Sequence, residues 1–317
     1  MLFKKNLKHK RDMNNNFDEL VTGQSGTEEK QPKTSPKGPQ MSTEEKIAKE
    51  TYTEAELNDV NNIIVTVPDQ KTPVVVFFGS PTSGKTLALL RMIRFFEGHG
   101  CQVKPEYVFR PKSDKHYAKM CDGLKAMAYS PYAPEPTDNI SFMLVKVLDK
   151  VGNPICQILE APGEHYFDGT ASLTFPTYIQ TIRNLPNRKV WVFFVEQDWG
   201  QNQGERDLYA QKICSMQKLI PNDKIVFLFN KVDKHLEQIK SDGRPNKDLF
   251  FANIKNQYPG IFSNYVNDGF FSRLLFGNYN FKAVCFSSGV FTATDEGKQV
   301  WTLGNDSYCQ EFWNAIK

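Results

Sequence analysis

The chain has 317 residues, of which 40% are apolar and 24% charged, and a formal net charge of +3; this is enough apolar material for one large domain or two ordinary ones, and too mild a basic bias to argue for nucleic acid as a partner. No uncharged apolar run reaches the length that spans a bilayer, and the basic N-terminus is not followed by the apolar stretch of an export signal. Six cysteines without metal-binding or redox spacing read as small reduced core residues, so the expected compartment is the cytoplasm.

Residues 1–69 are rich in Lys, Glu, Asn, Gln, Thr and Pro, a composition that cannot bury enough apolar surface to order itself. They are predicted to form a disordered polar tail with one short helical pattern near Thr43–Val60. The first residues carry Lys4, Lys5, Lys8, Lys10 and Arg11 beside Leu2 and Phe3. A solvated basic end is one reading of them; a peripheral contact with an anionic membrane or partner is the other. From residue 70 to 317 the texture is that of a folded domain. The runs "TPVVVFFG", "ISFMLVKVL", "PICQILE", "KVWVFFVEQD", "KIVFLFNKVD" and "FKAVCFSSG" predict strands buried on both faces. Between them, helical patterns fall at Thr86–Glu97, Phe175–Asn184, Glu205–Leu219, Leu249–Tyr258 and Ser307–Ile316. This alternation predicts an α/β fold, mainly a parallel sheet with helices on both faces. The exception is the pair Asn139–Leu148 and Pro154–Glu160, joined only by "DKVGN", which is too short for a crossover and predicts one antiparallel hairpin strand. Residues 99–138 form a long connection, expected to be a switch or effector surface or a small ordered insertion. "NDGFFSRLLFGNYNF" before the last strand reads as a packed elaboration.

The chemistry begins with Gly79-Ser80-Pro81-Thr82-Ser83-Gly84-Lys85-Thr86, after a strand and opening an apolar helix. A phosphate needs converging N–H donors and a backbone that can approach it. Glycines allow that approach, the helix N-terminus adds its positive dipole end, Lys85 reaches the β- and γ-phosphates, and the Thr86 hydroxyl ligates Mg²⁺. Such a P-loop takes any nucleoside triphosphate, so the base must be read elsewhere. Asn230-Lys231-x-Asp233 closes a buried strand, where a short carboxylate can accept from both N1–H and the 2-amino group of guanine, a pair adenine lacks. Asn230 can bridge to neighbouring loops and the Lys231 stem can cover the base. Ser287-Ser288-Gly289, after the last strand, offers backbone N–H groups toward guanine O6.

With these motifs in order, the chain resembles the P-loop GTPases of the translation-factor and Ras-like (TRAFAC) class over roughly residues 70–317, as a P-loop G domain. The resemblance implies GTP/GDP and Mg²⁺ as ligands. It assigns phosphates and Mg²⁺ to Gly79–Thr86, the base to Asn230, Lys231 and Asp233, and the rest of the base pocket to Ser287, Ser288 and Gly289. It makes Thr137 in "APEPTDNISF" the candidate switch threonine and a second protein ligand of Mg²⁺. Where the family has Asp-x-x-Gly, this chain has Glu160-Ala161-Pro162-Gly163, so Glu160 takes the Mg²⁺ role with a carboxylate one methylene longer, and Gly163 contacts the γ-phosphate. The next residue in many relatives orients the attacking water; here Glu164 stands there, with the neutral His165 beside it as the milder candidate. No arginine is named as a finger in cis, although Arg110 lies in the long connection. The implied activity is slow GTP hydrolysis stimulated by a protein effector or activating partner. The alternatives are a GTP-binding scaffold that does not hydrolyse, and a P-loop ATPase or nucleotide kinase. The chain is similar to divergent bacterial GTPases of multi-gene conflict or regulatory systems more than to housekeeping translation factors.

Overall fold

Short, unbroken apolar runs have one stable destination, the middle of a sheet covered on both faces. Seven strands form that sheet: β1 (Val74–Phe78), β2 (Gln102–Pro105), β3 (Met143–Leu148), β4 (Pro154–Glu160), β5 (Lys189–Glu196), β6 (Lys224–Asn230) and β7 (Lys282–Cys285). They lie in the order β2-β3-β4-β1-β5-β6-β7. The computed structural model describes residues 52–134, 142–167, 175–200, 202–267, 273–274 and 277–317, all within a unit that begins at residue 41. Strand β3 is antiparallel to both β2 and β4, and the other pairings are parallel. The fold class is therefore the expected one. The tight β3–β4 turn is closed by the Asp149 carboxylate, which accepts from the Val151 and Asn153 amides at 2.9 and 2.8 Å.

Among the described residues the helices are α1 (Glu54–Asn58), α2 (Lys85–Gly98), α3 (Lys115–Tyr129), α4 (Gly163–Tyr166), α5 (Thr177–Arg183), α6 (Gln203–Leu219), α7 (Lys247–Gln257) and α8 (Asp306–Ile316). Five of them stand where the apolar spacing places them. The long connection adds β2 and α3, and a separate antiparallel hairpin, β8 (Gly289–Ala293) with β9 (Gln299–Leu303), follows β7. Strands β1 and β5 are buried along their whole length. At the end of β1 the Phe78 ring stacks on Tyr166 at 4.4 Å and meets Phe193 edge-on at 5.3 Å. Burial of each such ring stabilises the fold by roughly 1.5–3 kcal/mol, and these rings sit directly beneath the loop that begins at Gly79. Of the expected elaboration before β7, residues 268–272 and 275–276 lie outside the described residues; its flanks place Tyr279 and Phe281 against Phe262 at 6.0 and 5.1 Å.

The boundary of the polar tail needs correction. Residues 1–51 lie outside the described residues, but 52–69 are part of the folded unit. Thr53 caps α1 in a reciprocal capping box with Glu56, and Ile63 and Val67 are buried in the core. The reason is a charge 54 residues away in sequence. Arg110 is buried and donates to Glu56 at 3.1 Å, to Asp114 at 2.8 Å and to the Ile64 carbonyl at 2.7 Å. Composition made this segment look unable to order itself, because the partner that makes a buried Glu56 tolerable is not local. The same geometry removes Arg110 from consideration as a finger. Among the described residues, no helix is long and apolar enough to cross a membrane.

Arg110→Ala leaves two carboxylates buried without their counter-charge, so the urea unfolding free energy is expected to fall by about 3–5 kcal/mol. Adding Glu56→Gln and Asp114→Asn should recover part of that loss; equal losses in the single and triple variants would contradict the clamp.

Candidate nucleotide site

Because β1, β4, β5, β6 and β7 are all parallel, their carboxyl ends share one edge of the sheet, where ligands of open α/β sheets bind. Register puts Glu160 beside Phe77, and Glu196 beside Asn230. The loop after β1 reaches α2 through Gly84, whose φ of 85° suits glycine, and α2 starts without a side-chain cap. Its first-turn amides thus stay available to a ligand. A Cβ on Gly84 would also stand 2.6 Å from the Asn230 Nδ2.

Side-chain donors hold the loop in shape. Lys85 Nζ donates to the carbonyls of Gly79 (3.1 Å) and Ser80 (2.9 Å), Lys231 Nζ to that of Thr82 (2.9 Å), and Asn230 Nδ2 to that of Ser83 (2.7 Å). Thr82 and Lys231 both adopt positive φ, 61° and 59°, a conformation that costs a non-glycine residue roughly 1–2 kcal/mol and persists only where surroundings enforce it. The phosphate loop and the Asn230–Asp233 box are thereby one construction. Ser83 Oγ and Asn230 Oδ1 are buried with no protein partner; an incoming polar ligand would satisfy them.

The side chains expected to hold Mg²⁺ can be located in part. The Thr86 hydroxyl donates to the Glu160 carboxylate, so two of the three expected Mg²⁺ ligands meet. Both are hard oxygens, and among the described residues there is no cluster of three or more His, Cys, Asp and Glu side chains to hold a metal. That donor set fits Mg²⁺ shared with phosphates and waters rather than caged by protein alone. Pro162 leads into Gly163, which lies so close to the Ser80–Pro81 backbone that any Cβ would collide with it. Thr137 lies outside the described residues, as does the Glu164 side chain.

His165 differs from its expected role. Its Nδ1 is 2.9 Å from the Tyr178 hydroxyl, its ring lies 5.9 Å from that of Phe142, and burial pushes its pKa down to about 4. These contacts engage Nδ1 and the ring face with Tyr178 and Phe142, neither of which belongs to the phosphate loop.

At the base box, Ser287 Oγ donates to Asp233 Oδ1 at 2.5 Å, joining the two segments expected to read guanine. One detail differs from the expectation: the Gly289 amide donates to Ser287 Oγ at 3.1 Å, so of the three expected backbone donors this one is already engaged. Sequence reasoning missed Glu196, whose carboxylate lies 2.5 Å from Lys231 Nζ and 3.1 Å from Lys234 Nζ. The available signal was a lone acid ending an apolar strand.

No model of a known protein family matches the chain, and no curated protein matches it. Among solved structures, similarity is found to nucleolar GTP-binding protein 1 from Plasmodium falciparum, with 14% identity, a TM-score of 0.35, and coverage of 71% of this chain and 80% of that one. A signal recognition particle receptor SRb-GTP/SRX complex from Chaetomium thermophilum gives 14%, 0.39, 78% and 99%. The S. cerevisiae Ski7 GTPase-like domain, bound to GDP and inorganic phosphate, gives 11%, 0.37, 83% and 52%. At such identities and scores these likenesses decide nothing about the site, which stands on its own geometry.

Burial pushes the Glu160 carboxyl up to about 7, with the Thr86 hydroxyl and the Lys85 ammonium opposing it only in part. A raised carboxyl pKa means that ionisation opposes folding: the cost sets in above the ordinary 4.5 and is complete above about 7. Glu160→Gln is therefore expected to stabilise the nucleotide-free protein at pH 8 by about 1–3 kcal/mol and to match wild type near pH 4.5, as read by thermal unfolding across that range.

Proposed function

We propose that the chain is a guanine-nucleotide-binding P-loop protein that cleaves GTP to GDP and phosphate slowly, and that it works as a nucleotide-dependent switch. The observation that carries this reading is the tie from Lys231 to the phosphate loop, with Asp233 two residues on and bonded to Ser287. A phosphate cradle and a guanine-reading carboxylate thus belong to one rigid site. In this reading Asp233 accepts from guanine N1–H and the 2-amino group, Lys231 covers the base, and Lys85 offsets phosphate charge. Mg²⁺, held by Thr86 and Glu160, would neutralise charge on the phosphate oxygens during cleavage. Gly163, packed on Ser80–Pro81, would report the γ-phosphate to the segment that follows.

Slow cleavage is supported by the His165 Nδ1 contact with Tyr178, which engages one nitrogen of the side chain expected to orient the attacking water. A protein partner would then supply what is missing, and the switch would act in the cytoplasm, in the manner of divergent bacterial regulatory GTPases. The same observation favours a second reading, a GTP-holding scaffold that does not turn over. A P-loop ATPase or nucleotide kinase would leave the Asp233–Ser287 pairing without purpose.

Single-turnover phosphate release from GTP separates the first two readings. Slow release, abolished by Lys85→Ala and accelerated by cell extract, is expected for the switch; no release under any condition would leave the scaffold. Asp233→Asn should weaken GTP binding at least about 100-fold by leaving the guanine donors poorly matched, and unchanged affinity would contradict the assigned base contact.

A further inference from the structure

The turn that would face the 6-oxo group of guanine, Ser287-Ser288-Gly289, does not lead directly into a helix. It runs into β8, and β9 returns alongside it, pairing Leu303 with Gly289. The Trp301 indole N–H donates to the Ser288 carbonyl at 3.1 Å, and the Gly304 amide approaches the same oxygen at 3.5 Å. A Cβ on Gly289 would collide with the Thr302 carbonyl, so the turn and β9 are in full contact.

Trp301 is itself fixed from three sides. Its backbone amide donates to the Pro131 carbonyl at 2.8 Å, the Arg94 guanidinium lies 4.5 Å over its ring, and Phe291 stacks beside it at 6.0 Å. Arg94 belongs to α2, the helix that begins at Lys85. One turn earlier on α2, Arg91 donates to the Gly304 carbonyl at 2.9 Å and pairs with Asp306 at 2.5 Å. Two arginines of the phosphate-loop helix thus brace the strand that braces the base-reading turn.

We propose that Trp301 is a positioning residue for recognition of the purine 6-oxo group, acting through the backbone of Ser288. A planar peptide has few ways to turn. The Ser288 carbonyl and the Gly289 amide share one peptide plane, held by Trp301 and by Ser287 Oγ, while the Ser288 N–H lies in the preceding plane, next to the Ser287 side chain held by Asp233; with anchors on both sides of its Cα, the Ser288 N–H keeps little freedom to turn. The indole N–H is the only one of these anchors supplied from β9. The proposal rests on the guanine-nucleotide reading above and adds a residue outside its motifs.

The test compares GDP with 6-thio-GDP, which keeps N1–H and the 2-amino group but presents sulfur, a weak acceptor, at position 6. Dissociation constants are measured for wild type, for Trp301→Phe, and for a chain carrying benzothienylalanine at position 301, which replaces the indole N–H by sulfur at nearly the same volume and so guards against misfolding of the phenylalanine variant. Wild type is expected to prefer GDP by about tenfold, the worth of one good hydrogen bond. In both variants that preference should collapse to within about twofold through weaker GDP binding, with 6-thio-GDP affinity unchanged. Equal weakening of both ligands, or retention of the wild-type preference, would reduce Trp301 to a structural role and overturn the proposal. Failure of wild type to bind either ligand would instead overturn the guanine reading, and the proposal with it.

Discussion

The carbonyls of the phosphate loop are what the rest of the site depends on. A trans peptide points its carbonyl and its following amide in opposite directions, so a loop becomes an anion cradle only if something holds its carbonyls away from the ligand. Here Lys85, Lys231 and Asn230 supply those donors for Gly79, Ser80, Thr82 and Ser83. Two of the three donors, Asn230 and Lys231, stand at the end of β6, just before Asp233, the carboxylate proposed to read guanine. The cradle and the base box are therefore not two motifs that happen to be near one another. Asn230 and Lys231 tie the two together, and the positive φ of both Thr82 and Lys231 is a conformation that persists only where surroundings enforce it.

The same construction explains why a glutamate can stand at the end of β4. Glu160 is buried and meets the Thr86 hydroxyl, so the additional methylene is absorbed within the site instead of displacing the strand. Burial also makes this carboxylate costly to ionise, which predisposes it toward a cation that relieves the cost. Gly163 lies on the Ser80–Pro81 backbone, so the end of β4 has no freedom to retreat from the loop.

Much of this was legible because it is local. Parallel strands such as Lys189–Glu196 are apolar nearly throughout, and the five residues "DKVGN" can close only a hairpin. The phosphate-loop and base-box residues announce themselves because their chemistry demands particular side chains at fixed spacing. Helix α3, with Tyr117, Cys121, Leu124 and Ala128 forming a buried stripe at helical spacing, agrees with the small ordered insertion that was one of the two expectations for residues 99–138. Strand β2 is four residues with no apolar alternation, and only its pairing with β3 makes it a strand. The folding of residues 52–69 depends on Arg110, and the fate of His165 on Tyr178 across a segment of chain. No spacing rule encodes contacts of that kind.

The central claim, that one rigid site reads phosphates and a guanine base together, is tested most directly by calorimetric titration of the full chain with GDP and with ADP in the presence of Mg²⁺. The account predicts that GDP binds at least about 100-fold more tightly, a difference of about 2.7 kcal/mol. Equal affinity for the two nucleotides would contradict it, since the phosphate cradle alone would then account for all the binding.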